Sequence, residues 1–155
     1  MTRAEILQET NKAKIAHKRW VKRADHLISG LPVDKEFIPL DATICGFGKW
    51  LYSQGTELRT IEATKFIINE IEHHHDDVHD YYGKIYKIYF LIPENRGLLT
   101  KLLTFNSKKV TNKEKEEAKR YFQQLQQSSD ELLQLLDKLE IASQHITYEQ
   151  LISRS

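Results

Sequence analysis

The sequence contains a single cysteine, Cys45, among its 155 residues, and this scarcity excludes an intrachain disulfide. A lone unpaired thiol is usual in the reducing cytoplasm. Apolar runs are short as well, because none reaches the roughly 20 residues that a membrane-spanning helix needs. The start of the chain, MTRAEILQET, lacks the apolar core of a signal peptide. These absences predict a soluble cytoplasmic protein that is not inserted into a membrane.

Charge of one sign is not in excess either. The chain carries 23 Lys and Arg against 22 Asp and Glu, for a net charge of +1. A nearly neutral molecule has no strong overall field for a polyanion, so we predict no binding to nucleic acid. Basic residues do concentrate near the N-terminus, which we interpret as a solvated helix face, with an acidic partner surface as the alternative. They are Lys12, Lys14, Lys18, Arg19, Lys22 and Arg23.

Glycine and proline are also scarce, at six and three residues, which disfavours a fold of many short strands and turns. Apolar residues recur instead at helical spacing in four long stretches. In the first stretch they are spaced alternately by four and three residues, and it ends at Ser29-Gly30-Leu31-Pro32, a typical helix stop. We predict helices at about residues 3–28, 41–55, 56–92 and 112–142, with a short helix and a turn at 94–106.

These helices and their mostly short links predict an all-α fold, an antiparallel four-helix bundle. Asp41 is a plausible N-cap for the second helix, and the long third helix is expected to bend near Gly83. We expect one helical bundle domain over residues 1–142 and a C-terminal tail over residues 143–155.

Histidines provide the first sign of chemistry. His75 and His79 are four residues apart on the third predicted helix, so their imidazoles lie on one face and could chelate one metal ion. Such pairs also arise by chance, and two ligands alone bind weakly. His17 lies on the packed seam of the first helix, where a lone histidine is usually a hydrogen-bonded core residue.

Cys45 lies early in the second helix, beside Gly46 and Gly48. Glycine inside a helix costs about 0.5–1 kcal/mol relative to alanine, so two so close indicate that something needs room there. We expect a neighbouring helix or an imidazole to approach at Gly48. Cys45 alone could be a small buried apolar residue. Together with the three histidines, however, it completes a set of three nitrogens and one sulfur that suits tetrahedral zinc.

Three separated motifs carry a family resemblance. His17-Lys18-Arg19-Trp20, Cys45-Gly46-Phe47-Gly48-Lys49-Trp50 and His75-Asp76-Asp77-Val78-His79 resemble the signature of the chemoreceptor zinc-binding domain family. That signature is a histidine with an aromatic residue three positions on, a Cys-x-hydrophobic-Gly-x-aromatic block, and His-x-x-x-His. The blocks occur in the family's order, and the resemblance extends over roughly residues 10–140.

The resemblance implies a four-helix bundle that binds Zn²⁺ through His17, Cys45, His75 and His79. It also implies a bacterial regulatory domain that forms a homodimer and acts on a chemoreceptor or a diguanylate cyclase. Such domains respond to zinc availability or to oxidants that attack the zinc-bound thiolate, which would place this chain in signal transduction, chemotaxis or redox sensing.

The sequence departs from the family pattern in three ways. It contains no receptor or cyclase domain, so we expect a stand-alone sensor. A charged stretch at residues 110–120 looks like an extension before the last helix. His73 and His74 precede the expected pair, and we expect both to be exposed and not to bind metal. For hydrogen bonds to the ligating imidazoles, the nearest carboxylates in sequence are Glu72 and Asp76, although we interpret both as solvated carboxylates on the helix surface.

The residues leave three functional hypotheses. The first is a zinc-thiolate sensor, and the second is a structural zinc site in a helical dimer or adaptor, because closed four-ligand sites are usually structural. The third is a metalloenzyme in which three histidines leave an open position and Cys45 does not ligate. We expect no enzyme activity. Nickel or copper could also occupy such a site, because availability in the cell decides which metal is bound.

Overall fold

The computed structural model describes residues 1–33, 40–92 and 110–146. The described residues contain no strand, and the predicted all-α helical bundle is confirmed. The short helix and turn predicted at 94–106 lie outside them. In chain order the elements are α1 (Arg3–Ile28), α2 (Gly46–Leu51), a 3₁₀-helix (Gln54–Thr60), α3 (Lys65–Tyr86) followed by a π-helical turn (Lys87–Leu91), and α4 (Asn112–Ser143).

Helix α1 has the limits that its sequence predicts. Thr2 caps its start, since the Thr2 hydroxyl accepts from the Glu5 N–H and the Glu5 carboxylate accepts from the Thr2 N–H. It ends before Gly30, whose φ of 72° reverses the chain, and the Leu31 N–H then donates to the His26 carbonyl at 2.9 Å. The predicted seam is buried except for the partly buried Trp20, and its buried members are Ile6, Thr10, Ala13, His17, Ala24 and Leu27.

The second helical element is much shorter than predicted. Helix α2 has six residues, and its N-cap is Cys45. Asp41 does not cap it, because the Asp41 carboxylate accepts from the N–H and the hydroxyl of Thr43 at 2.8 and 2.7 Å. These local hydrogen bonds hold residues 41–44 in turns and delay the start of the helix.

The predicted start of the third helix near residue 56 is also wrong. Residues 54–60 form the 3₁₀-helix, which ends because Ile61 adopts extended backbone angles. The buried Thr64 hydroxyl then donates to the Leu58 carbonyl at 2.7 Å and closes the turn before α3. The α-helical pattern continues through Gly83 and changes to a π-helical turn only at Lys87, so we find the irregularity four residues later than expected.

The long helices pack as a bundle in which α4 lies along both α1 and α3. Helices α1 and α4 are antiparallel, because Arg3 bonds to the carbonyl of Ser143 while Lys14 pairs with Asp137. Helices α1 and α3 run in the same direction, as the ring contacts below show. The short α2 packs against α1 and the 3₁₀-helix. Residues of α1, α2 and α3 thereby meet at one buried point.

The charged stretch at 110–120 is not a separate extension. It forms the first turns of α4, which begins after Thr111 with a second capping box to Glu114. Helix α4 continues to Ser143, and Ile146 beyond it is buried. The domain boundary between 142 and 143 stays a prediction, and residues 147–155 lie outside the description. Within the described ranges, no helix combines the length and the apolarity needed to cross a membrane.

Candidate metal centre

Three predicted ligands converge inside the bundle. His17 comes from α1, and His75 and His79 come from successive turns of α3. Their ring centroids are 4.6 Å apart for His75 and His79, 5.2 Å for His17 and His75, and 6.2 Å for His17 and His79. One ring nitrogen from each lies within 4.8 Å of the other two, and all three side chains are buried. This group of residues could hold a metal ion.

Cys45 joins this group through His75. Its Sγ lies 3.2 Å from His75 Nε2, and the residue is only 4% exposed. Ligand atoms of a tetrahedral zinc ion, bonded at 2.0–2.3 Å, are about 3.3–3.6 Å apart, which is close to the observed distance. The same sulfur caps α2 by accepting the Gly48 N–H at 3.1 Å. The thiol is therefore fixed at the start of a helix and next to an imidazole nitrogen.

A buried nitrogen of His17 indicates that the group suits a metal ion. His17 Nδ1 donates to the Ala13 carbonyl at 2.7 Å, which assigns the proton to Nδ1 and leaves a lone pair on Nε2. That Nε2 is buried, and it has no hydrogen-bond partner among the described residues. An unsatisfied buried acceptor costs about 1–3 kcal/mol, and bonding to a cation would remove this cost.

The partner that orients His17 is a backbone carbonyl, and the two carboxylates nearest in sequence to the α3 histidines have other partners. The Glu72 carboxylate pairs with Arg59 at 2.7 Å, and Asp76 accepts from the Tyr52 hydroxyl at 3.5 Å. A backbone acceptor four residues earlier is available to any helical histidine, so no sequence signal distinguishes this one.

Burial determines the protonation states of the proposed ligands when no metal is bound. Burial lowers the pKa of His17, and it lowers the pKa of His75 to about 2 with a smaller contribution from the neighbouring His17 and His79. Burial raises the pKa of the Cys45 thiol by more than the N–H groups of Gly48 and Phe47 lower it. Although Cys45 stands at the N-terminus of α2, the net effect of its surroundings is a raised pKa. Without a cation, burial therefore favours neutral imidazoles at His17 and His75 and a protonated thiol at Cys45.

This charge state predicts how the stability of metal-free protein depends on pH. His17 and His75 stay neutral when folded but take up protons when unfolded, near pH 6.5. Because the folded pKa values are the lower ones, stability is unaffected above pH 6.5 and falls as the pH drops below it, by up to about 1.4 kcal/mol per pH unit for each histidine. Urea unfolding in a chelator between pH 7.5 and 5 measures this slope.

The pH effect has a direct control in His75→Phe, which keeps a ring but removes one titrating group. Its unfolding free energy should change less steeply below pH 6.5 than that of the wild type. Equal slopes for the two proteins would show that His75 is protonated in the folded state.

Two aromatic rings line the group of ligands. The Trp20 ring contacts His79 with centroids 4.7 Å apart, and the Phe47 ring contacts His75 at 5.2 Å, both edge to face. Trp20 also contacts Tyr82, one turn beyond His79 on α3. Both aromatic positions belong to the sequence motifs, so the motifs encode the walls of the site as well as the proposed ligands.

The two glycines beside Cys45 have different surroundings. A Cβ atom added at Gly48 would overlap the carbonyl oxygen of Ala42. The expected close approach therefore exists, but it comes from the chain segment just before α2 and not from a helix or an imidazole. A Cβ atom added at Gly46 would meet open space.

The two extra histidines lie outside the group. His73 has a side chain 65% exposed, 3.8 Å from the Asp77 carboxylate, as expected for a surface residue. His74 is half-buried and not exposed as predicted. Within the described part of the chain, neither joins His17, His75 and His79 in a potential metal group.

Fold and site together define a class of protein, a helical bundle whose core holds a buried histidine and cysteine group that could bind a metal. Residues 17–86 match the family model of the chemoreceptor zinc-binding domain, which confirms the resemblance seen in the sequence. The match runs from His17 to the end of α3, so it is shorter than the predicted 10–140 and excludes α4. No curated protein and no solved structure matches the chain.

Proposed function

We propose that the protein binds one Zn²⁺ ion through His17, Cys45, His75 and His79 and acts as a zinc-thiolate sensor. The observation that carries this proposal is the meeting of three buried imidazoles and the Cys45 sulfur, contributed by α1, the α2 N-cap and α3. The family match over residues 17–86 supports zinc as the metal. Three nitrogens and one sulfur in a closed site are a usual zinc ligand set.

Each proposed ligand has a distinct role in the chain. His17 presents Nε2 because its Nδ1–H is held by the Ala13 carbonyl. His75 and His79 hold their nitrogens on one face of α3, one turn apart. When bound, zinc would supply the positive charge that keeps the buried Cys45 sulfur as a thiolate, the nucleophilic form.

The proposed sensing mechanism depends on the three helices that the zinc ligands would connect. If Cys45 is oxidised to a sulfenic acid, or if zinc is lost, α1, α2 and α3 lose their common attachment. Helices α1 and α3 could then shift relative to each other, and a partner could recognise the difference. The described helices provide no second thiol, since Cys45 is the only cysteine, so reversal requires an external reductant or a second subunit.

The partner is proposed from the family alone. The family's description names chemoreceptors, and we propose that a chemoreceptor or a diguanylate cyclase receives the signal from a homodimer of this chain. Among the described residues, four large apolar ones are more than half exposed and are available to a partner surface: Ile15, Leu31, Phe66 and Ile141. Sedimentation equilibrium of the zinc-loaded protein measures the subunit number.

Oxidant-driven zinc release tests the sensing role. The zinc-loaded wild type should release most of its zinc when mixed with stoichiometric hypochlorous acid, and a peptide containing Cys45 should gain one oxygen. Cys45→Ser, loaded in excess zinc, should show no comparable release at the same dose. A chromogenic zinc indicator and mass spectrometry of the digest provide the two measurements.

The result separates sensing from a structural role. A wild type that keeps its zinc at stoichiometric oxidant would contradict the sensor and favour a zinc-stabilised helical dimer or adaptor. The burial of all four proposed ligands is the observation that favours this second candidate. Metal analysis of the purified protein tests whether zinc, nickel or copper is bound.

A further inference from the structure

A cavity of about 220 Å³ lies between α1 and the start of α2, beside the candidate metal centre. Two of the proposed ligands, His17 and Cys45, form part of its wall, together with Trp20 and Phe47. It is separate from the packed side of the site, where the rings of His75 and His79 lie. The cavity therefore reaches Cys45 and His17 from the side opposite the rings of His75 and His79.

The exposure of the lining residues shows which end of the cavity lies at the protein surface and which end is buried. Lys12 is exposed and Ala16 is half-buried, whereas His17 and Cys45 are only 1% and 4% exposed. The cavity thus leads from the surface of α1 to two of the proposed ligand residues. Ala16 and Gly46 stand on opposite walls, and both are small enough to leave the passage open. Gly46 in particular faces open space where any side chain would project.

Size and polarity limit what can enter. Typical pockets for drug-sized ligands measure about 300–1,000 Å³, so this one suits molecules of only a few heavy atoms. Its wall is mostly apolar, and Lys12 is already paired with Glu9 at 2.6 Å. A charged molecule would lose its hydration here without gaining an oppositely charged partner, which is unfavourable. Small uncharged molecules enter without this cost.

We propose that this cavity admits small uncharged electrophiles, hydroperoxides in particular, to the Cys45 sulfur and excludes bulky or charged ones. The inference rests on the proposed sensing function, for which it names the class of reactant. In the reaction with hydrogen peroxide the thiolate attacks one peroxide oxygen, so an S–O bond forms while the O–O bond breaks. Hydroxide leaves with the electron pair, the sulfur becomes a sulfenic acid, and the peroxide is reduced.

Alkylation of metal-free protein tests access without zinc. Iodoacetamide and iodoacetate differ little in size but differ in charge, and each forms an S–C bond with release of iodide. We expect the neutral reagent to react with folded protein at least tenfold faster than the anion, relative to their ratio in urea-unfolded protein. Because Cys45 is the only cysteine, the mass of the intact chain reports the rate directly.

Two variants close the cavity from opposite walls, Ala16→Phe from α1 and Gly46→Leu from α2. Each should slow alkylation by iodoacetamide at least tenfold and slow zinc release by hydrogen peroxide to a similar degree, while zinc content stays at the wild-type value. Ala4→Phe, on the exposed face of α1, is the matched control and should react like the wild type. Circular dichroism and urea unfolding establish that each variant is folded. Slower reaction supports the inference only if both closing variants show it.

The outcomes separate this inference from the function on which it rests. If both closing variants react as fast as the wild type, the cavity is not the route and the inference is overturned, whatever the response of the zinc-loaded protein. If both slow alkylation but zinc-loaded wild type resists hydrogen peroxide and hypochlorous acid, access is supported and the sensing role fails. Equal reactivity toward iodoacetamide and iodoacetate would overturn the exclusion of charge.

Discussion

His75→Ala is expected to lower zinc affinity by more than about 100-fold and to leave the purified protein almost free of zinc. His75 occupies the middle of the group, because its ring contacts both other histidines and its Nε2 lies 3.2 Å from the Cys45 sulfur. Loss of a residue that merely orients a ligand costs 10- to 100-fold in affinity, so loss of a ligand should cost more. Elemental analysis and competition with a chromogenic chelator measure the effect.

His73→Ala is the matched control for this prediction, because it removes an exposed imidazole two residues away on the same helix. It should keep one zinc ion per chain. If the two variants bind zinc equally well, the histidine group is not the site.

Zinc removal should also destabilise the fold. A ligand at 1,000 times its dissociation constant stabilises the folded state by about 4 kcal/mol, and a chelator removes this contribution. His75→Ala should therefore unfold at the same urea concentration with and without chelator.

The ligation by Cys45 needs its own measurement. X-ray absorption of the zinc-loaded protein should show one sulfur at about 2.3 Å. A spectrum with nitrogen and oxygen only would favour a three-histidine open site, the arrangement of a metalloenzyme.

Gly48→Ala is expected to destabilise the protein by about 3 kcal/mol and to weaken zinc binding. The new methyl group would overlap the Ala42 carbonyl oxygen, and backbone on both sides cannot move away cheaply. Relief requires displacing residues 42–48, which include Cys45. Urea unfolding and zinc competition report the two effects.

Gly46→Ala provides a control in the same turn of α2. Its Cβ meets open space, and alanine is the better helix former by about 0.5–1 kcal/mol, so its stability should equal or exceed that of the wild type. Equal stability of the two alanine variants would show that the segment before α2 is not fixed against Gly48.

The sequence predicts the helices well where local signals suffice. Helix α1 carries a capping box, a regular seam and a glycine stop, and all three are local features. For residues 41–64 the pattern predicts a complete second helix over 41–55 and the start of the third helix at 56, whereas the structure has turns, a short helix and a 3₁₀-helix there. These turns depend on buried hydrogen bonds such as Thr64 to the Leu58 carbonyl, which residue spacing does not reveal.

The candidate metal centre was likewise predictable only in part. The motifs selected His17, His75 and His79, which the structure brings into one group, and Cys45, whose sulfur lies beside His75. The spacing of His75 and His79 on one helix was readable from the sequence. The backbone groups around them could not be predicted. The Ala13 carbonyl that holds His17 and the Ala42 carbonyl that faces Gly48 depend on chain geometry, and any residue type could supply them.

Cys45 Sγ also accepts one of the free backbone N–H groups, that of Gly48, in the first turn of a helix only six residues long. So short a helix has few internal hydrogen bonds. Each hydrogen bond at its N-terminus therefore contributes a large part of its stability. An oxygen added to this sulfur would therefore alter both the electronic state of one atom and the local winding of the polypeptide. Oxidation of Cys45 would in this way change the conformation of the first turn of α2 before any longer helix moves.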